Sequence, residues 1–145
     1  YFYYSMQKMG TDSLAVIYFD LDSFKQLNDE YGHQAGDAAL AGFATLLQAS
    51  FADGIIARMG GDEFVVALQG EYTKEEMCQK LDGFMEKMRA FFAMNHEFKN
   101  LSVSIGVLLE KNNDGQVDVL LHKSDEAMYT AKKSGKNRYC FYDDI

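Results

Sequence analysis

Apolar positions along the chain fall into short continuous runs separated by stretches where they recur every three or four residues. Leu14-Ala15-Val16-Ile17-Tyr18-Phe19 is the first run. It is short and unbroken, as expected of a buried central strand. It ends in Asp20-Leu21-Asp22, and acids at the end of a buried strand are expensive to desolvate unless something positive meets them. Asp22-Ser23 then reads as the cap of a helix over 24–31, with Phe24, Leu27 and Tyr31 on one face. Residues 32–36 read as a loop, and Asp37 as the N-cap of a long helix over 38–51 with Leu40, Phe43, Leu47 and Phe51 as its stripe. Ile55-Ile56-Ala57 and Phe64-Val65-Val66-Ala67-Leu68 flank Gly60-Gly61-Asp62-Glu63. This predicts a hairpin whose glycines take the positive φ of a two-residue turn. Thr73 to Glu76 fits a capping box opening a helix over 74–94, with Met77, Leu81, Phe84, Met88 and Phe91 facing inward.

The alternation Leu101, Val103, Ile105, Val107 predicts a strand over 98–109, and Asn112-Asn113-Asp114-Gly115 a turn. A last helix over 117–134 is closed by Gly135, and residues 138–142 form a final strand. Residues 1–10 read as the tail of a helix ending at Gly10, followed by the polar link Thr11-Asp12-Ser13. After that tail the order is β-α-α-β-β-α-β-α-β. The expected architecture is α/β (α+β): a five-stranded, mostly antiparallel sheet flanked by helices.

Composition narrows the classes. At 145 residues this is a single domain, able to bury roughly two-thirds of its unfolded surface. No apolar run approaches the ~20 residues of a membrane span, and no signal peptide opens the chain. A first residue of Tyr rather than Met suggests a domain excised from a longer protein. Cys78 and Cys140 lack metal-ligand spacing and read as reduced thiols in a cytoplasmic setting. A net charge of −8 argues against nucleic acid as partner. It leaves room for a small phosphorylated ligand met through Mg²⁺. Neither G-x-G-x-x-G nor a P-loop is present.

If the first strand pairs beside the hairpin, Asp20, Asp62 and Glu63 converge at one edge of the sheet. Three such acids without basic neighbours call for a hard divalent cation. Read apart, they are separate surface acids.

Four blocks, in order, carry a resemblance. Phe19-Asp20-Leu21-Asp22-Ser23-Phe24-Lys25 with Asn28-Asp29, Gly32-His33 and Gly36-Asp37 is similar to the first half of the GGDEF domain of diguanylate cyclases. The run from Arg58 to Phe64 contains that family's name motif unaltered. Residues 102–107 and 125–138 resemble its later motifs. The likeness spans residues 14–142. It implies a palm-like nucleotidyl-cyclase fold and the condensation of two GTP into cyclic di-GMP with release of two pyrophosphates.

The resemblance also implies roles. Asp20, the Leu21 carbonyl and Asp62, with Glu63 beside them, would hold Mg²⁺ or Mn²⁺, two ions per active site. Asp62 is the family's candidate for accepting the 3′-hydroxyl proton. A metal-bound carboxylate is a poor base, so metal binding is its chief role here. Lys25 would stabilise the reacting phosphates. Lys132 and Lys136 would reach the terminal phosphates, and the N–H groups of Ser23 and Phe24 would cradle them. Asn28 and Asp37 would read guanine, since a carboxylate accepts from both N1–H and the 2-amino group, neither of which adenine offers. Arg138 is expected in a structural pair and His33 in a structural role. Each domain would hold one GTP, so two must meet as a transient C2 homodimer. The resemblance further implies, as partner, an N-terminal sensor or regulatory region of a parent protein of the kind that can be membrane-anchored; this domain itself is expected to contact no membrane.

Three departures are visible. The family's Asp-x-Leu-Thr-Gly-Leu segment would lie before the chain begins, which is expected to weaken folding or activity. Its inhibitory Arg-x-x-Asp product site is replaced by Phe51-Ala52-Asp53-Gly54, so no product inhibition is expected there. Lys136 stands where Arg is common, keeping the charge but losing the bidentate fork. The competing readings are a catalytically inactive GTP-binding regulatory module, a dimerisation module and a cyclase acting on ATP.

Overall fold

A computed structural model describes residues 2–8, 12–111 and 116–145. A short helix α1 (Phe2–Lys8) precedes strand β1 (Leu14–Asp22). Helices α2 (Phe24–Tyr31) and α3 (His33–Ser50) lead to strands β2 (Ile55–Arg58) and β3 (Glu63–Gln69). Helix α4 (Lys74–Ala93), strand β4 (Ser102–Glu110), helix α5 (Val117–Lys133) and strand β5 (Arg138–Phe141) complete the order. The sheet runs β2-β3-β1-β4-β5. Its pairs are antiparallel except β4–β5, which is parallel. The expected element order and mostly antiparallel five-stranded sheet are therefore present.

Strand β1 is buried at every residue because it has a strand on each side and helices on both faces. Ala15, Ile17, Phe19 and Leu21 point into the larger core with α3 and α4. There the Phe19 ring stands edge-on to Phe43, Phe51 and Phe84, with centroids 6.0, 5.8 and 5.4 Å away. Leu14, Val16 and Tyr18 face the smaller core built from α1 and α5. The alternation leaves Asp20 and Asp22 on the α5 side, at the end where the apolar lining stops.

Several local expectations need correction. The 32–36 loop is a single break at Gly32, whose φ of 90° lets α2 end and α3 begin at His33. Asp37 is thus a residue inside α3, not its N-cap. Asp22-Ser23 does not cap α2: Ser23 is left-handed at φ 66° and makes no side-chain cap bond, while the Asp22 carboxylate is engaged elsewhere.

The hairpin is not a two-residue turn either. Residues 59–62 connect the strands, and neither Gly60 nor Gly61 has positive φ. The Met59 and Gly60 N–H groups both donate to the Glu63 carbonyl. The expected strand over 98–109 begins only at Ser102, after a 3₁₀ turn His96–Phe98 capped by Asn95.

Other expectations hold closely. Thr73 and Glu76 form the reciprocal capping box of α4. Helix α5 ends with Ser134 as its C-cap and Gly135, at φ 126°, just beyond. Gly135 and Lys136 donate back to the Lys132 and Ala131 carbonyls, as in a Schellman ending. The predicted stop at Gly10 and turn at 112–115 fall outside the described residues. Among the described residues no helix is long and apolar enough to cross a membrane.

Candidate active site

The site forms where β1 leaves the sheet. Register places Asp20 opposite Glu63 of β3 on one side and Ser104 of β4 on the other. The Leu21 N–H donates to the Asp62 carbonyl at 3.1 Å, which fixes the hairpin loop against the strand end. Arg58 stiffens that loop from within, donating from Nε to the Gly60 carbonyl at 3.0 Å and from Nη2 to the Gly61 carbonyl at 2.6 Å. Asp20, Asp62 and Glu63 are thereby brought to one edge of the sheet, as the conditional pairing predicted.

Helix α5 supplies the cation. A Cβ on Gly106 of β4 would lie 2.2 Å from the Met128 nitrogen and the Ser124 carbonyl oxygen. Only glycine lets the helix lie this close to the strand. One turn beyond Met128, the Lys132 ammonium reaches Asp20 Oδ2 at 3.2 Å and Asp22 Oδ1 at 3.3 Å. Asp22 is 1% exposed. Its carboxylate also accepts from Ser102 Oγ at 2.6 Å, Ser104 Oγ at 2.7 Å and the Asn137 N–H at 3.3 Å.

Charge at this edge is unbalanced. Burial and then the facing Asp62 push the Asp20 carboxyl up to about 7; Lys132 pulls it back only in part, and Glu63 adds a smaller push. Burial opposes the charge on Lys132, but Asp20 and Asp22 together hold its ammonium above the ordinary lysine value. Glu63 Oε1 accepts from the Tyr18 hydroxyl at 3.2 Å. Burial, followed by Glu63, pushes that phenol up, so Tyr18 stays a donor.

The residues fit a hard divalent cation. Asp20 Oδ1 is buried and has no hydrogen-bond partner, and Asp62 raises the cost of ionising that carboxyl. A cation at Oδ1 would relieve both. Among the described residues no three His, Cys, Asp or Glu side chains already form a cage.

A second part of the site lies where α2 meets α3. Asn28 Oδ1 is buried without a partner, and a Cβ on Gly36 would overlap it at 1.9 Å. Asp37, next along α3, is exposed. Lys25 is exposed in the first turn of α2, behind the half-buried Ser23 and Phe24. Lys136 is exposed past α5 at φ 63°. Among the described residues Arg138 makes no ion pair: its Nε donates to the Lys136 carbonyl at 3.0 Å and pins that loop. His33 is exposed at the first residue of α3.

Three site residues escape a sequence reading: Asp22 as a hub, Tyr18 as the partner of Glu63, and Arg58 as the loop's brace. Only Tyr18 left a signal, a hydroxyl two positions before Asp20 on the same strand face.

Comparison with known proteins identifies the family. The family model described as diguanylate cyclase, GGDEF domain, matches residues 3–138. The diguanylate cyclase DgcS of Shewanella oneidensis is 36% identical over 137 residues, covering 93% of this chain and 44% of that protein. The bifunctional diguanylate cyclase/cyclic di-GMP phosphodiesterase MucR of Pseudomonas aeruginosa is 35% identical over 132 residues, covering 89% of this chain and 19% of that protein. The chain thus spans less than half the length of these relatives. The solved active GGEEF domain of a diguanylate cyclase from Vibrio cholerae superposes with a TM-score of 0.75 at 29% identity, covering 97% of this chain and 89% of that one. With the palm-like sheet and its acidic edge in place, the chain belongs to the GGDEF domain family of diguanylate cyclases.

Proposed function

We propose that this domain condenses two GTP into cyclic di-GMP, with the 3′-hydroxyl of each attacking the α-phosphate of the other. Two phosphorus–oxygen bonds form, two α–β bonds break, two pyrophosphates leave and two protons are released. The observation that carries this reading is the unpartnered, buried Asp20 Oδ1 at an edge shared with Asp62, Glu63 and Lys132.

Asp20, the Leu21 carbonyl and Asp62, with Glu63 beside them, would hold Mg²⁺ or Mn²⁺, two ions per site. When bound, the metal neutralises phosphate charge and lowers the pKa of the attacking hydroxyl. The protein's own part is positioning and electrostatics. Lys25, Lys132 and Lys136 meet the phosphates, and the Ser23 and Phe24 N–H groups cradle them. Asn28 and Asp37 select guanine. The lone Asn28 Oδ1 supports this, because a buried acceptor without a partner is costly until a ligand donor reaches it.

One site cannot close the ring alone, so two domains meet in a transient C2 dimer. The domain works in the cytoplasm as part of a longer signalling protein whose other regions govern that encounter. The test is GTP turnover by wild type, Asp20→Asn and Asp62→Ala, each checked for an unchanged melting curve. Loss of cyclic di-GMP formation in both variants supports the assignment. Full turnover in either removes that residue from the site.

A further inference from the structure

The cation already inside the acidic edge belongs to the protein. Lys132 pairs with Asp20 at 3.2 Å from Oδ2 and with Asp22 at 3.3 Å from Oδ1. The two carboxylates are not equivalent. Asp22 is 1% exposed, and its oxygens are shared among Ser102, Ser104, the Asn137 N–H and Lys132. It cannot turn toward a metal without abandoning these bonds. Asp20 has Lys132 on one oxygen and nothing on the other. The Lys132 side chain is 27% exposed at the rim, and an ammonium has three donors, so it can leave one carboxylate while keeping the other.

We propose that Lys132 is the resident counter-ion of Asp20 in the ligand-free domain, tethered by Asp22, and that it yields Asp20 to an incoming divalent cation while remaining on Asp22. Asp22 is then a positioning residue: it touches neither metal nor nucleotide, but it keeps the ammonium at the rim where phosphates arrive. The tether is built by long-range packing. Ser102 and Ser104 come from β4, Asn137 from the loop after α5, and Gly106 lets α5 come close enough for Lys132 to reach. This inference rests on the reading of Asp20 as a metal ligand.

Removing a positive charge held away from the metal ligands, where it meets only phosphate, leaves the affinity for bare metal nearly alone. Removing a competitor strengthens it. The experiment is Mn²⁺ binding to nucleotide-free protein, followed by electron paramagnetic resonance, for wild type, Lys132→Met and Lys132→Arg, with GTP affinity measured alongside. Lys132→Met is expected to bind bare Mn²⁺ roughly five- to thirtyfold more tightly, the range for replacing one partly buried charge contact, and to bind GTP more weakly. Lys132→Arg is expected to stay near wild type for bare Mn²⁺. Structural damage would weaken both affinities together, so opposite signs identify the competition.

Should Lys132→Met not fold, the wild-type protein still answers. Chemical labelling of lysines, read by mass spectrometry, is expected to show Lys132 gaining reactivity relative to Lys133 when Mn²⁺ is added without nucleotide. An unchanged or weaker Mn²⁺ affinity in folded Lys132→Met, or an unchanged labelling ratio with Mn²⁺ bound, overturns the inference and leaves the cyclase reading standing. Wild type that binds no Mn²⁺ even with GTP and makes no cyclic di-GMP overturns both.

Discussion

Gly106→Ala strains the joint between α5 and β4, because one added methyl separates the helix that carries Lys132 from the strand that backs it. The new Cβ would lie 2.2 Å from both the Met128 nitrogen and the Ser124 carbonyl oxygen. Non-bonded heavy atoms settle near 3.5–4.0 Å, so α5 must retreat by at least about 1 Å. Both contacts are backbone, so no side chain can swing aside. Overpacking of this kind typically costs about 1–3 kcal/mol. With no rotamer to relieve it, we expect about 2–3 kcal/mol, equivalent to roughly 4–12 °C in melting temperature for a chain of this size.

The same retreat stretches the Lys132 contacts with Asp20 and Asp22, now 3.2 and 3.3 Å. Misplacement by about 1 Å can cost roughly 10²-fold in turnover. Gly83→Ala is the matched control. Gly83 lies inside α4 and a Cβ there meets nothing within 4 Å. Relief of backbone entropy should therefore stabilise the domain by about 0.5–1 kcal/mol. Urea unfolding of both variants reads the signs. A Gly106→Ala protein within about 0.5 kcal/mol of wild type would refute the close packing of α5 on β4.

Thr73→Ala removes half of the capping box and should cost about 1 kcal/mol in urea unfolding; an unchanged midpoint would mean the cap contributes nothing. Asp37→Ala should reduce the preference for GTP over ATP roughly ten- to hundredfold, the worth of hydrogen bonds to a charged group, in competition binding; an unchanged ratio would remove Asp37 from base selection. Added cyclic di-GMP should leave the initial rate unchanged below concentrations that compete with substrate. Phe51 is a buried core ring, and a Cβ on Gly54 would meet Leu68 at 2.8 Å and Val66 at 2.9 Å, so neither position presents a polar group; clear noncompetitive inhibition would show a product site elsewhere.

Features that depend on local pattern were legible from sequence. The apolar run of β1, the two hairpin strands and the capping box of α4 follow from residues within a few positions of one another. The meeting of Asp20 with Glu63 was legible conditionally, once β1 was placed beside the hairpin. Asp22 shows where such reading stops. An Asp-Ser pair before a helix has the local chemistry of a cap, yet the carboxylate's partners Ser102, Ser104 and Asn137 lie 80, 82 and 115 residues away. Buried hydrogen bonds and an ammonium outcompete a solvated cap. Residues 32–36 misled for a related reason. Two glycines suggested a loop, but only Gly32 breaks the helix, while Gly36 makes room for Asn28. The hairpin glycines likewise take negative or extended φ, because Arg58 and the Glu63 carbonyl hold a longer loop than the two-residue turn their composition suggests.

Turnover is separated from mere binding by incubating the domain with GTP and Mg²⁺ and resolving the products, over protein concentrations that extend into the range where dimers form. The expected result is cyclic di-GMP with two pyrophosphates per molecule, specific activity that rises with protein concentration, and little consumption of ATP under the same conditions. GTP that binds but remains unconverted at the highest protein concentration, or ATP cyclised as readily as GTP, would contradict it.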